Sequence, residues 1–138
     1  MRRKWRVVAL IAIALVIGLG VKNFLNVRAK RRRQAQYAAV LTRYSTALSP
    51  GMSRSEAEQY LKAKGDVFGQ FCCIAGPQRA WADRVKIGDE PAPWYCNKYN
   101  IYVGLEFKRT EMSEAVTDAR GSDRLEKVIL LPQLEQCL

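Results

Sequence analysis

A chain of 138 residues has room for one domain, and it contains no histidine, so histidine-dependent triads and the HExxH zinc site are excluded. No P-loop, no GxGxxG after a strand and no GxSxG elbow is present. The formal charge of +10 would ordinarily point to nucleic acid, but Arg2, Arg3, Lys4, Arg6, Lys22, Arg28, Lys30, Arg31, Arg32 and Arg33 hold all of the excess, and thirteen basic residues face thirteen acids from Gln34 onward.

The excess therefore flanks an apolar stretch, and its natural partner is the phosphate of anionic lipid headgroups rather than nucleic acid. That stretch, VVALIAIALVIGLGV from Val7 to Val21, is uncharged throughout. At about 1.5 Å of rise per residue it is too short to cross a bilayer core alone. Adding Trp5, Arg6 and the residues from Lys22 to Leu25 lengthens it enough, with Arg6 and Lys22 snorkelling and Trp5 at headgroup level. The expectation is a membrane anchor over residues 1–25. A cleaved signal peptide is the rival reading, disfavoured because no AxA-like site follows.

Residues 26–49 contain neither glycine nor proline before Pro50, so the anchor is expected to continue as a basic juxtamembrane helix. Tyr37, Leu41, Tyr44 and Leu48 recur at helical spacing and predict an apolar stripe turned toward the domain. Ser49-Pro50-Gly51 then reads as a turn. The domain proper is expected over residues 50–138. It opens with Ser53 and Glu56, a capping box for a helix from Arg54 to Lys64 that Gly65 terminates, with Ala57, Tyr60 and Leu61 on its buried face.

Three strands are predicted over residues 67–73, 99–107 and 125–131, with a shorter one from Asp83 to Ile87. The clearest is YNIYVGLEF, where Ile101, Val103, Leu105 and Phe107 share one face. The fold class is thus α+β: a transmembrane helix continuing into a long helix, then a short helix on an antiparallel sheet of three to four strands. The connection DEPAPWYC, residues 89–96, reads as a loop stapled over the sheet by Cys96 with Trp94 filling the core; a binding loop presenting Trp94 and Tyr95 is the alternative.

Cys72, Cys73, Cys96 and Cys137 are an even set in a small domain, the pattern of disulfides in an oxidising compartment. Adjacent residues on a strand point to opposite faces, so Cys72 and Cys73 are expected to take separate partners, bridging to Cys96 and Cys137. Zinc binding is disfavoured by the missing CxxC spacing and histidine. Basic residues number four before the span and six after it, counting Lys22, which slightly favours a cytoplasmic domain. The cysteines point the other way, to the extracytoplasmic side of the cytoplasmic (inner) membrane.

GMSRSEAEQYL at residues 51–61, then FCC, WADRVKIGDEPAPWYC, the alternating strand and a final Cys-Leu resemble a set of small bacterial single-pass membrane-anchored proteins with no assigned activity. More remotely, the helix after a turn followed by a sheet is similar to the SmpA/OmlA group of outer-membrane-assembly lipoproteins. That likeness implies a module that binds protein or lipid, and it brings no catalytic residues. The mature chains of the group begin with a lipidated cysteine, and none stands near this anchor.

The carboxylate pairs Asp89 with Glu90 and Glu56 with Glu58 are expected to be solvated or aligned with the helix dipole rather than catalytic. The resulting expectation is a non-catalytic interaction or structural module of the bacterial envelope, without a cofactor or metal, whose partners are the membrane and another envelope protein. The alternatives are an envelope enzyme or thiol-redox protein using Cys72 and Cys73, or a pilin-like subunit.

Overall fold

A computed structural model describes residues 2–72, 81–109 and 119–138, with side chains excepted at 2–12 and 14. The chain divides into two compact units, Met1–Gln36 and Tyr37–Leu138. The elements are α1 (Arg2–Ala47), α2 (Arg54–Lys64), β1 (Phe68–Phe71), β2 (Ala82–Asp89), β3 (Cys96–Lys108) and β4 (Arg124–Cys137). The fold is α+β, a long helix and a short one with a four-stranded antiparallel sheet.

In the first unit the stretch of α1 from Leu15 to Val21 is apolar on every side. Leu15, Val16 and Ile17 are successive and all exposed, as are Leu19, Val21, Phe24 and Leu25. Successive residues lie about 100° apart around a helix, so no single face collects them. Much of the stretch 7–21, on which the anchor is expected, lies outside the residues whose side chains are described. Among the described residues no helix is long and apolar enough to cross a membrane.

The second unit takes in the last turns of α1. Tyr37, Tyr44 and Leu48 are buried there, with Val40 and Leu41 packed beside the core, which is the predicted stripe. Gly51, at φ +89°, turns the chain. Helix α2 follows with the boundaries its caps dictate. The Ser53 N–H donates to Glu56 Oε2 at 2.9 Å and the Glu56 N–H returns to Ser53 Oγ at 3.3 Å, while Gly65 closes the far end at φ +79°.

The sheet is a meander in the order β1-β2-β3-β4, every pair antiparallel. Its core face carries Val85, Val103, Leu105, Phe107 and Leu125 against Tyr44, Leu48, Ala57 and Leu61 of the helices. Strand β3 is central and buried along most of its length. On the opposite face Gly104 admits Ile129 and Leu131, whose atoms lie 3.5 and 3.6 Å from where a Cβ would stand.

Three strands run longer than the sequence suggested, and one is shorter. The expected strand at 67–73 is Phe68–Phe71, with residue 73 outside the described residues. Strand β2 spans Ala82–Asp89, one residue earlier and two later than the predicted Asp83–Ile87. Strand β4 continues past Leu131 through Pro132 to Cys137, because an edge strand pairs on one side only and tolerates a proline there.

Candidate functional site: an aromatic turn clasped by a disulfide

The β3–β4 register sets Cys96 directly opposite Cys137, and the two form a disulfide. This corrects the expected pairing in which Cys96 and Cys137 bridge to Cys72 and Cys73. The cause is cross-strand register, which brings together residues 41 apart in sequence and leaves neither sulfur for the FCC pair. Cys72 is itself disulfide-bonded, and Cys73 lies outside the described residues.

The clasp holds the segment that precedes β3. The Cys96 N–H donates to Pro93 O at 3.0 Å, closing a β-turn with Trp94 and Tyr95 at its two central positions. The Leu138 N–H donates to Tyr95 O at 2.9 Å, and the Glu90 N–H donates to Tyr99 O at 2.8 Å. Three backbone bonds and one covalent bridge thus fix the turn at both ends.

Trp94 is 90% exposed, so it does not fill the core as the sequence reading favoured. At the tip of a β-turn its side chain projects away from the ladder, while Tyr95, also exposed, meets its ring edge-on at 5.8 Å between centroids. Leu138 is fully exposed beside them. Two large rings and an aliphatic side chain in water on a pinned backbone make an apolar projection, and such a group loses little conformational freedom on contact with a partner.

A second cluster is polar and closed to solvent. Arg54 begins α2 with its guanidinium inside the domain, donating from Nη1 to Asp83 Oδ1 at 2.6 Å and from Nη2 to Trp81 O, with Nε 3.6 Å from Asp123 Oδ2. Its plane lies over the Phe107 ring, 4.1 Å from the centroid. Arg109 approaches Asp123 Oδ1 at 3.7 Å. Burial, reinforced by the charges of Glu58 and Asp123 and opposed by Arg54, pushes the Asp83 carboxyl up to about 6. Arg54, Asp83 and Asp123 are each 1% exposed or less, so the cluster ties α2, β2 and the approach to β4 together and presents nothing to a substrate. Its sequence signal was the spacing: Arg54 lies three residues before Ala57 and seven before Leu61, on the face predicted to be buried.

On the outer face of the sheet Arg84 lies between the Phe71 ring at 5.2 Å and the Tyr102 ring at 4.8 Å and donates to Gln133 Oε1. The Tyr102 hydroxyl donates to Glu135 Oε1 at 2.7 Å, which holds the Glu135 carboxyl below its ordinary value, while burial and that same carboxylate raise Tyr102.

Three of the four paired acids are engaged structurally. Glu56 caps α2, Glu58 accepts from Gln70 and lies 3.8 Å from Lys62, and Asp89 pairs with Lys86 at 2.6 Å. Among the described residues no three acids or cysteines converge on a metal-sized point. Of the basic set, Lys22, Arg28, Lys30, Arg31 and Arg32 are exposed and Arg33 is half-buried; the side chains of Arg2, Arg3, Lys4 and Arg6 lie outside the described residues.

Compared with family models, curated proteins and solved structures, the chain matches none.

Proposed function

We propose that this chain is a non-catalytic interaction module of the bacterial envelope, held at the cytoplasmic membrane by the N-terminal part of α1, with the Trp94–Tyr95 turn as its contact for another envelope protein. The observation that carries the contact is Trp94, 90% exposed on a backbone fixed by the Cys96–Cys137 bridge. Aromatic anchors of this kind dominate the energetics of protein interfaces.

The anchor is supported by the uncharged run from Val7 to Val21, by basic residues on both flanks, and by the all-round exposure of the large apolar side chains between Ile13 and Val27. An extracytoplasmic domain is supported by the disulfide, which persists in oxidising compartments. Anionic headgroups are the proposed partners of the flanking Lys and Arg side chains.

Cross-linking in native membranes tests the contact. The expected result is a discrete adduct formed by the parent chain and lost in Trp94→Ala, whose loss of roughly 2 kcal/mol corresponds to about 30-fold in affinity. An adduct of unchanged yield in Trp94→Ala removes the turn from the reading. Reporter fusions after Leu138 test the side of the membrane: activity of an enzyme that requires disulfides is expected, and fluorescence of a cytoplasm-dependent reporter instead would put the domain inside.

A further inference from the structure

We propose that the outer edge of β4 is a self-association surface, where a second copy of this chain adds its own β4 antiparallel about a two-fold axis through Leu131. Strand β4 is the last strand of the sheet. Its start is already covered, since the Leu125 N–H donates to Met52 O and Leu125 O accepts from the Gly51 N–H, both at 2.7 Å. Beyond that point, among the described residues, nothing pairs with the outer edge from Lys127 to Glu135.

The direction of the backbone groups follows from the register. The Cα atoms of Cys96 and Cys137 are 4.0 Å apart, the close approach of an antiparallel pair that exchanges no backbone hydrogen bonds. The register then runs without a shift to Glu106↔Lys127. The odd-numbered residues of this stretch, Lys127, Ile129, Leu131, Gln133 and Glu135, therefore turn N–H and C=O away from β3 into the free edge. Leu125, whose outward bonds to residues 51 and 52 are given above, continues the same row. Pro132 falls in the alternate set, so its missing N–H is absent from the β3 ladder and leaves the outer row unbroken. The residue type that commonly blocks an edge does not block this one.

The side chains select a second copy as the occupant. Pairing about Leu131 places Lys127 opposite the partner's Glu135. With the intramolecular pairs Glu106↔Lys127 and Lys98↔Glu135, the row across four strands alternates in sign: Glu106, Lys127, the partner's Glu135, the partner's Lys98. On the other face Val128 meets the partner's Leu134, and Leu130 meets the partner's Pro132. Leu130 and Leu134 are 37% and 41% exposed in the single chain although they stand on the core face of the sheet, and this pairing covers them. Moving the axis two residues toward Leu125 runs into the bonds of Gly51 and Met52, and moving it the other way shortens the paired stretch. The association is isologous and closed, and it joins two four-stranded sheets into one.

The test uses the full chain in detergent micelles, with mass read by light scattering after subtraction of the detergent. A mass of two chains is expected for the parent protein. Lys127→Glu alone and Glu135→Lys alone each set like charges opposite one another at both ends of the pairing and are expected at the mass of one chain. Mixed in equal amounts they restore opposite signs at both ends, and the two-chain mass is expected to return as a heterodimer. Leu131→Pro removes an outward N–H without touching the β3 ladder, and is expected to be monomeric with a folded circular dichroism spectrum, its unfolding midpoint lowered only by the loss of association. A monomeric parent protein overturns the proposal, as does a dimer that persists in both charge variants, which would place the contact away from the β4 edge. Failure of the mixture to recover the two-chain mass, with both variants folded by circular dichroism, overturns the pairing about Leu131.

Discussion

Acid should stabilise the second unit between neutral pH and pH 5, through a single buried carboxyl. Asp83 has no exposed surface, and its carboxyl titrates at about 6 in the folded state against 3.8 when unfolded. A raised acid pKa means that the folded state binds the proton first, so its stabilising effect is complete below the unfolded value and is lost as pH rises through 6. Between pH 7.5 and pH 5 these two values give a gain of about 1.4 kcal/mol, and a domain of this size should melt about 6–11 °C higher. Below the unfolded value of 3.8 the Asp83 gain is complete, and Glu56 and Glu135, whose values are lowered, withdraw their contributions as they protonate. The assay is urea unfolding of the full chain in micelles at pH 7.5, 6.5, 5.5 and 5.0, followed by tryptophan fluorescence, for the parent and for Asp83→Asn. The variant has no proton to bind at this position and should show a flat profile over the same window. Stability that falls steadily from pH 7.5 to 5, or an equal rise in Asp83→Asn, would refute the assignment.

Three further outcomes follow from the packing. Replacing both Cys96 and Cys137 by serine removes a cross-link between residues 41 apart and should cost up to about 4 kcal/mol by the loop-entropy relation; a loss under 1 kcal/mol in denaturant titration would show that the strand register alone holds the turn. Gly88→Ala places a Cβ 2.7 Å from Tyr37 Cε1, beside the Tyr37 hydroxyl that donates to Asp89 O at 3.1 Å, and should cost roughly 1–3 kcal/mol, read as a lower melting temperature. Ser53→Ala deletes the acceptor at the start of α2 and should cost about 1 kcal/mol, measured by the same titration.

What the sequence made legible was local. Helix α2 could be placed between Arg54 and Lys64 because Ser53, Glu56 and Gly65 act within a few residues of themselves. The alternation in YNIYVGLEF marks β3 because one of its faces, Ile101 to Phe107, fills the core. Distant pairings were not legible. The Cys96–Cys137 bridge depends on how β4 registers against β3, and no spacing among four cysteines encodes that. Trp94 was misplaced for a related reason: hydrophobicity alone puts an indole inside, whereas the Pro93–Cys96 turn puts it outside. Arg54 was overlooked because arginine is almost never fully buried unless paired, and its partners Asp83 and Asp123 come from other elements.

Arg54 also bears on how the second unit opens. Its side chain holds Asp83 and the carbonyl of Trp81, its backbone N–H donates to Asp123 O at 2.8 Å, and the Ser55 N–H donates to Gly121 O at 3.1 Å. Peeling β4 away or fraying the first turn of α2 each strands charges in an apolar interior, so neither is an inexpensive fluctuation. In native-state hydrogen exchange the amides of Arg54, Ser55 and Leu125 should therefore share one opening free energy and behave as one cooperative unit, although they come from segments some seventy positions apart along the chain.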